Sequence, residues 1–149
     1  MRNCNCNCNC GRHPEIRDFG PNPLVFKIDH ATNMNPNFRT ALWTGTHLQL
    51  TLMSIPVGGE IGVEMHPDVD QFLRIESGSA KVLMGSGKHT LRQEATADSG
   101  HAIIIPAGTW HNIVNAADRP LKLYSLYAPP NHPAGTVHRT KEDGQHGEH

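Results

Sequence analysis

The stretch GHAIIIPAGTWHNIVN, Gly100 to Asn115, decides how the rest of the chain is read. Gly100 ends a turn, and HAIII is a short run of β-branched residues of the kind that pack on a pleated, half-buried surface. Pro106-Ala107-Gly108 interrupts it. Proline fixes its own φ and glycine tolerates turn geometry, so the pair reverses the chain. A second strand then begins at His111 and runs to Asn115, with the turn aiming its side chains inward.

Working outward, the same grammar repeats. Short apolar runs are punctuated by Gly and Pro, 14 and 11 of them in 149 residues. Strands are expected at Leu24–Ile28, Thr40–Thr44, His47–Ile55, Ile61–Met65, Gln71–Ile75, Ala80–Met84, His89–Gln93, His101–Ile105, Asn112–Asn115 and Leu121–Tyr127. In HLQLTLMSI, Leu48, Leu50 and Leu52 alternate with His47, Gln49, Thr51 and Met53, the period of two that marks a strand. LKLYSLY at residues 121–127 alternates in the same way. About ten short strands at this spacing indicate a sandwich or barrel. Residues 29–39 read as a loop or a single turn of helix.

The ends differ from this body. Residues 1–22 read as a flexible, low-complexity arm, 23–130 as the barrel and 131–149 as a polar, loop-like tail; its first half, with His132 and His138 in HPAGTVH, has room to order against the barrel, and its end, with His146 and His149 in GQHGEH, reads as solvated. All four cysteines, Cys4, Cys6, Cys8 and Cys10, alternate with Asn in the arm, so no disulfide framework holds the body. The thiols are either inert in a disordered arm or a clasp for metal or cross-linking. The N-terminus has no apolar core of a signal peptide, and no apolar run approaches the length of a membrane span, so the expected location is the cytoplasm. A net charge of −1 with 11 neutral His gives no basis for a nucleic-acid or anionic-membrane partner.

With its Gly, Pro, Gly, His and Asn at positions 100, 106, 108, 111 and 115, the stretch resembles the second motif of the cupin superfamily at every position. The first cupin motif, Gly, His, His, Glu, Gly, is expected upstream. Gly58, Glu64, His66, Gln71 and Gly78 stand at its spacing, with Glu64 in place of the first His and Gln71 in place of the Glu. The resemblance covers about Leu24–Pro130. It implies an all-β fold, a double-stranded β-helix or jelly-roll barrel, with a metal on its inner face.

The implied ligands are Glu64, His66, Gln71 and His111. Glu64 and His66 share one face of a strand, and a turn through Pro67–Asp70 returns the chain so that Gln71 faces the same pocket. One carboxylate, two imidazoles and an amide oxygen, without a thiolate, suit Fe, Mn, Co, Ni or Zn as a divalent ion. A buried carboxylate without a cation is costly, which weighs against an empty relic of a site. His47 and Gln49 are candidates for substrate contact if the polar face of their strand looks inward. Asp68 and Asp70 read as turn residues, Glu76 as a surface charge at a strand end, Trp43 and Trp110 as packing, and His101 as exposed.

Three functions follow from these readings. The first is a metal-dependent enzyme on a small oxygenated molecule, of dioxygenase or Lewis-acid isomerase type. The donor types are similar to those of the phosphomannose isomerases, with Gln and Glu exchanged, but the chain lacks a cationic cluster to grip a phosphate. The second is a cupin that binds a small ligand without turnover. The third is a structural protein tied into an assembly through the Cys arm. Many cupins pair, and a homodimer through the Leu24–Ile28 edge is the expected assembly.

Overall fold

The computed structural model describes residues 17–147; the Cys4–Cys10 arm and His149 lie outside them. A short helix, α1 (Ile28–Met34), precedes eight strands: β1 (Arg39–Thr44), β2 (Gln49–Ile55), β3 (Asp70–Ser77), β4 (Ser79–Gly85), β5 (Arg92–Asp98), β6 (Ala102–Ile105), β7 (Trp110–Asn115) and β8 (Leu121–Ala128). A two-residue strand, β9 (Val137–His138), and a helix, α2 (Lys141–Gly147), follow. One sheet has the order β6-β3-β8-β2-β1-β9 and the other β5-β4-β7, with every pairing antiparallel. Their inner faces meet in one core: Ile55, Leu73, Ile75 and Leu123 come from the first sheet, and Val82, Ala97 and Ile113 from the second. This is the expected all-β jelly-roll barrel.

The larger sheet is covered on both faces, which explains why β2 is buried along nearly its whole length. Leu50 and Leu52 face outward, into a cluster with Tyr124, Leu42 and Ala31. Gln49, Thr51, Met53 and Ile55 face the barrel. The alternation in HLQLTLMSI therefore has its leucines outside, under α1, and its polar members inside. Helix α1 has no side-chain cap; its place is set by packing of Ile28 and Ala31 on that outer cluster.

Several expectations are corrected here. Leu24–Ile28 is not a strand: no sheet partner reaches it, Val25 is fully exposed, and Ile28 opens α1. Ile61–Met65 is not a strand; it makes one isolated bridge, Glu64 to His111, with another, Glu60 to Val114, just before it. His89 lies in a turn, and the strand placed there runs instead from Arg92. Glu76 is not a surface charge; its side chain is 9% exposed beside a β-bulge, 3.6 Å from Arg74 Nε. His101 is exposed, with Nδ1 accepting from the Asp98 amide at 2.9 Å.

The first half of the tail lies against the barrel, as its sequence allows. His132 and His138 are both buried, β9 pairs with β1 through Arg39–His138, and α2 closes over that pair. The physical cause is Gln49. Its Oε1 accepts from the Asn131 and His132 amides at 3.0 and 2.9 Å, and its Nε2 donates to the His132 carbonyl at 2.8 Å and Thr44 Oγ1 at 3.1 Å. One amide thus holds the returning chain against the barrel. Upstream, Asp18 does similar work: its carboxylate accepts from Thr44 Oγ1, Gly20 N and Gly135 N at 2.6–2.9 Å.

Candidate metal centre

Glu64 and His111 are placed by a reciprocal backbone pair. Glu64 N donates to the His111 carbonyl at 3.0 Å and His111 N to the Glu64 carbonyl at 2.9 Å. Side chains opposed in this way stand together on one face. Between the Glu60 and Glu64 bridges the first segment carries one more residue than its partner, Val114 to His111. The extra residue is accommodated at Gly62, whose φ of 106° is a left-handed value that glycine takes without penalty. Asn112 braces this bulge, accepting from Gly62 N at 2.9 Å and donating to Glu60 Oε2 at 3.2 Å. The bulge re-aims Glu64 toward the imidazoles.

The two motifs also grip one another. The Pro106–Gly108 turn donates Gly108 N to the His66 carbonyl at 2.8 Å and Ala107 N to Asp70 Oδ1 at 2.9 Å. Asp70 is therefore a cross-brace as well as a turn residue. Asn115, the last motif position, donates toward the carbonyls of Ile55, Pro56 and Arg119, so it shapes a loop and not the site.

These constraints bring one ligand atom each of Glu64, His66 and His111 within 4.8 Å of one another. Glu64 Oε1 lies 3.4 Å from His66 Nε2 and 3.3 Å from His111 Nε2. His111 is 1% exposed, and its Nδ1 lies 2.9 Å from the Thr109 carbonyl. A carbonyl only accepts, so the ring hydrogen is on Nδ1 and a neutral ring turns the Nε2 lone pair toward Glu64. Two lone pairs facing at 3.3 Å repel unless a proton or a cation lies between them. Burial alone would push the Glu64 carboxyl up, but the hydrogen bonds and charges of His111 and His66 outweigh it and hold the group well below the usual carboxylate range.

Gln71 lies deeper on the same wall. It pairs in register with Tyr127, and its Nε2 donates to Ser125 Oγ at 2.8 Å. Its Oε1 is buried with no hydrogen-bond partner, as is His66 Nε2. Buried polar atoms without a partner are uncommon, and one carboxylate, two imidazoles and an amide oxygen are donor types that fit a divalent metal.

The remaining predicted site residues fall elsewhere. His47 is exposed in the loop before β2. Gln49 faces inward, but both ends of its amide are taken up by Thr44, Asn131 and His132. Tyr127, which the sequence reading passed over, is buried with its ring edge-on to His66 at 5.9 Å and to His132 at 5.2 Å. Burial pushes its phenol up, the Glu64 carboxylate adds to this, and the Arg39 guanidinium opposes it. Its signal was present: in LKLYSLY the inward row reads Leu121, Leu123, Ser125, Tyr127, changing from apolar to polar.

Fold and motif spacing together define a small jelly-roll barrel with a Glu–His–His cluster on its wall, and the comparisons give its family. The cupin domain model matches residues 51–127, and the chain belongs to the cupin family. It is 57% identical over 128 residues to YrkC of Bacillus subtilis (strain 168), covering 86% of this chain and 69% of that one. It is 42% identical over 114 residues to L612 of Acanthamoeba polyphaga mimivirus, covering 76% of this chain and 69% of that protein. The crystal structure of BH2720 from Bacillus halodurans superposes with a TM-score of 0.86 at 55% identity, over 87% of this chain and 98% of that one.

Proposed function

We propose that Glu64, His66 and His111 hold one divalent transition metal, with the Gln71 amide oxygen as a fourth donor, and that the protein is a metal-dependent enzyme on a small oxygenated substrate. The observation that carries this is the meeting of two imidazole nitrogens, His66 Nε2 and His111 Nε2, at one Glu64 carboxylate oxygen, 3.4 and 3.3 Å away. Fe, Mn, Co, Ni and Zn all suit a carboxylate–imidazole–amide set without thiolate. Bound there, such an ion would polarise a carbonyl or hydroxyl, or activate dioxygen if it is Fe(II).

The chain's own residues prepare the site. The Thr109 carbonyl fixes the His111 tautomer, the kind of outer partner that orients metal-bound histidines. Ser125 holds the Gln71 nitrogen and so turns its oxygen to the interior. The Gly62 bulge and Asn112 set Glu64. None of these groups needs to move for a ligand to be accepted, so the site is preorganised.

The test is the metal content of anaerobically purified full chain with Cys4, Cys6, Cys8 and Cys10 changed to Ser, so that the arm's thiols contribute nothing. About one ion per chain is expected. The His66→Ala, His111→Ala double variant should lose it, an effect well beyond the roughly 10–100-fold cost of disturbing an outer partner. A wild-type site that stays empty after reconstitution with each of the five metals would overturn the proposal. The element found then selects the assay, oxygen uptake for Fe and isomerisation or hydrolysis panels for Zn or Mn.

A further inference from the structure

A cavity of about 450 Å³ lies where β2 ends and the chain turns into α2. It shares no lining residue with the Glu64–His66–His111 cluster. Small-molecule pockets typically enclose about 300–1,000 Å³ and are mostly apolar, with a few placed polar groups. The walls here follow that pattern. Pro36, Phe38, Pro56 and Pro120 supply the apolar surface, and Phe38, 4% exposed, belongs to the barrel core behind it.

Each wall is pinned by hydrogen bonds. Asn35, fully buried, clasps Asn37 across Pro36: its Nδ2 donates to the Asn37 carbonyl at 2.9 Å and its Oδ1 accepts from the Asn37 amide at 3.2 Å. Asn115, 6% exposed, donates to the carbonyls of Pro56 at 3.2 Å and of Arg119, just before Pro120, at 2.9 Å. The α2 side is tied to the barrel by Phe38 N, which donates to the Arg139 carbonyl at 3.1 Å. Asp143 Oδ2 accepts from the Arg139 and Thr140 amides at 2.9 and 3.1 Å. Walls held in this way leave little to be ordered when a ligand enters.

The charged groups around this apolar surface do not all neutralise one another. Lys141 Nζ and Glu60 Oε1 face each other at 3.8 Å. Arg139 and Glu142 also line the cavity, but no ion pair among the described residues includes either. A purely anionic ligand would gain from Arg139 and be repelled by Glu142, and a cationic one the reverse. A ligand that carries both charges gains from both. We propose that this cavity binds a free α-amino acid with an apolar side chain. Arg139 takes the carboxylate, to which a guanidinium offers paired, charge-assisted donors. Glu142 takes the ammonium, and the side chain lies against Phe38 and the prolines. The site stands apart from the metal reading, and neither depends on the other.

The experiment titrates the ¹⁵N-labelled full chain with L-phenylalanine and follows the backbone amides of Gly59, Thr140 and Lys141. A saturable shift of all three is expected. Phenylpropionate, which lacks the ammonium, and phenylalaninol, which lacks the carboxylate, should each bind about tenfold or more weakly. Arg139→Gln should weaken phenylalanine by the same factor and leave phenylalaninol unchanged. Glu142→Gln should weaken phenylalanine and leave phenylpropionate unchanged. Both side chains are exposed, so neither variant disturbs the core. No saturable shift at these amides, equal affinity for phenylalanine and either analogue, or a variant that binds phenylalanine as wild type does, overturns the proposal. Shifts confined to the amides of Glu64, His66 and His111 would place the amino acid on that cluster and overturn it as well.

Discussion

The two ends of the barrel interior are built from the same three strands and differ in chemistry. Toward one end β2, β3 and β8 contribute Ile55, Ile75, Leu73, Leu121 and Leu123, all fully buried. Toward the other they contribute Gln49, Thr51, Gln71, Ser125 and Tyr127, nearly as inaccessible but polar. The backbone ladder is continuous through both, from Gln49–Tyr127 to Ile55–Leu121. Sheet pairing is therefore indifferent to the change, and what differs is what each half contributes. The apolar half supplies hydrophobic stabilisation. The polar half forgoes it and arranges donors around Glu64, His66 and His111, which is the kind of local cost that functional sites impose on a fold.

The comparison can be broken most forcefully at the apolar end. Ile75→Ala should cost about 2–5 kcal/mol through lost burial and the cavity left behind, read as a fall in the urea midpoint. Metal stoichiometry should stay at the wild-type value. Loss of metal in a variant that is still folded would show that the two halves are not separable.

Gln49→Leu tests the polar end with a side chain of similar size. It removes four hydrogen bonds to Thr44, Asn131 and His132 and leaves buried backbone amides unpaired, a cost of about 1–3 kcal/mol for each group truly stranded. The loss should be local. Hydrogen exchange of residues 129–147 should accelerate more than that of β3 or β8, and uniform acceleration would refute the clamp.

The smallest effect is expected at Asp18, which lies outside both halves and pins residues 17–22 and Gly135 to β1. Burial would raise its carboxyl, but hydrogen bonds from Thr44, Gly135 and Gly20 outweigh this and hold it below the ordinary 3.8. A depressed folded value means the contribution is present above 3.8 and fades as pH falls through the folded value. Asp18→Asn should cost about 1 kcal/mol at neutral pH. Its urea midpoint should converge on wild type as the pH falls through the folded value, and a gap that is constant with pH would assign the loss to packing.

Much of this was legible in the residues. The spacing from Gly100 to Asn115 and from Gly58 to Gly78 marked both motifs, and period-two alternation located most strands. Glu64, His66 and His111 could be named because each sits in a short, dense pattern. Other features were not legible for identifiable reasons. Leu24–Ile28 has strand composition, but a strand needs a neighbour, and none is offered there. Ile61–Met65 carries Gly62, whose positive φ converts a strand into a bulge. Glu76 reads as a surface charge because its burial depends on the bulge opposite Lys122, which no local pattern encodes.

By itself, then, the sequence determined the alternating strands, the two glycine-marked motifs and the carboxylate, imidazole and amide side chains they carry, because each of these is written within about twenty consecutive residues. Only the tertiary structure decided that Arg39 meets His138 across 99 positions of chain, that Gln49 closes on His132 across 83, and that the Tyr127 ring stands between those of His66 and His132. Such contacts are fixed by where the strands cross and by which side chain is long enough to reach. They leave no periodicity behind, so the polar half of the barrel becomes visible only once the sheets are closed.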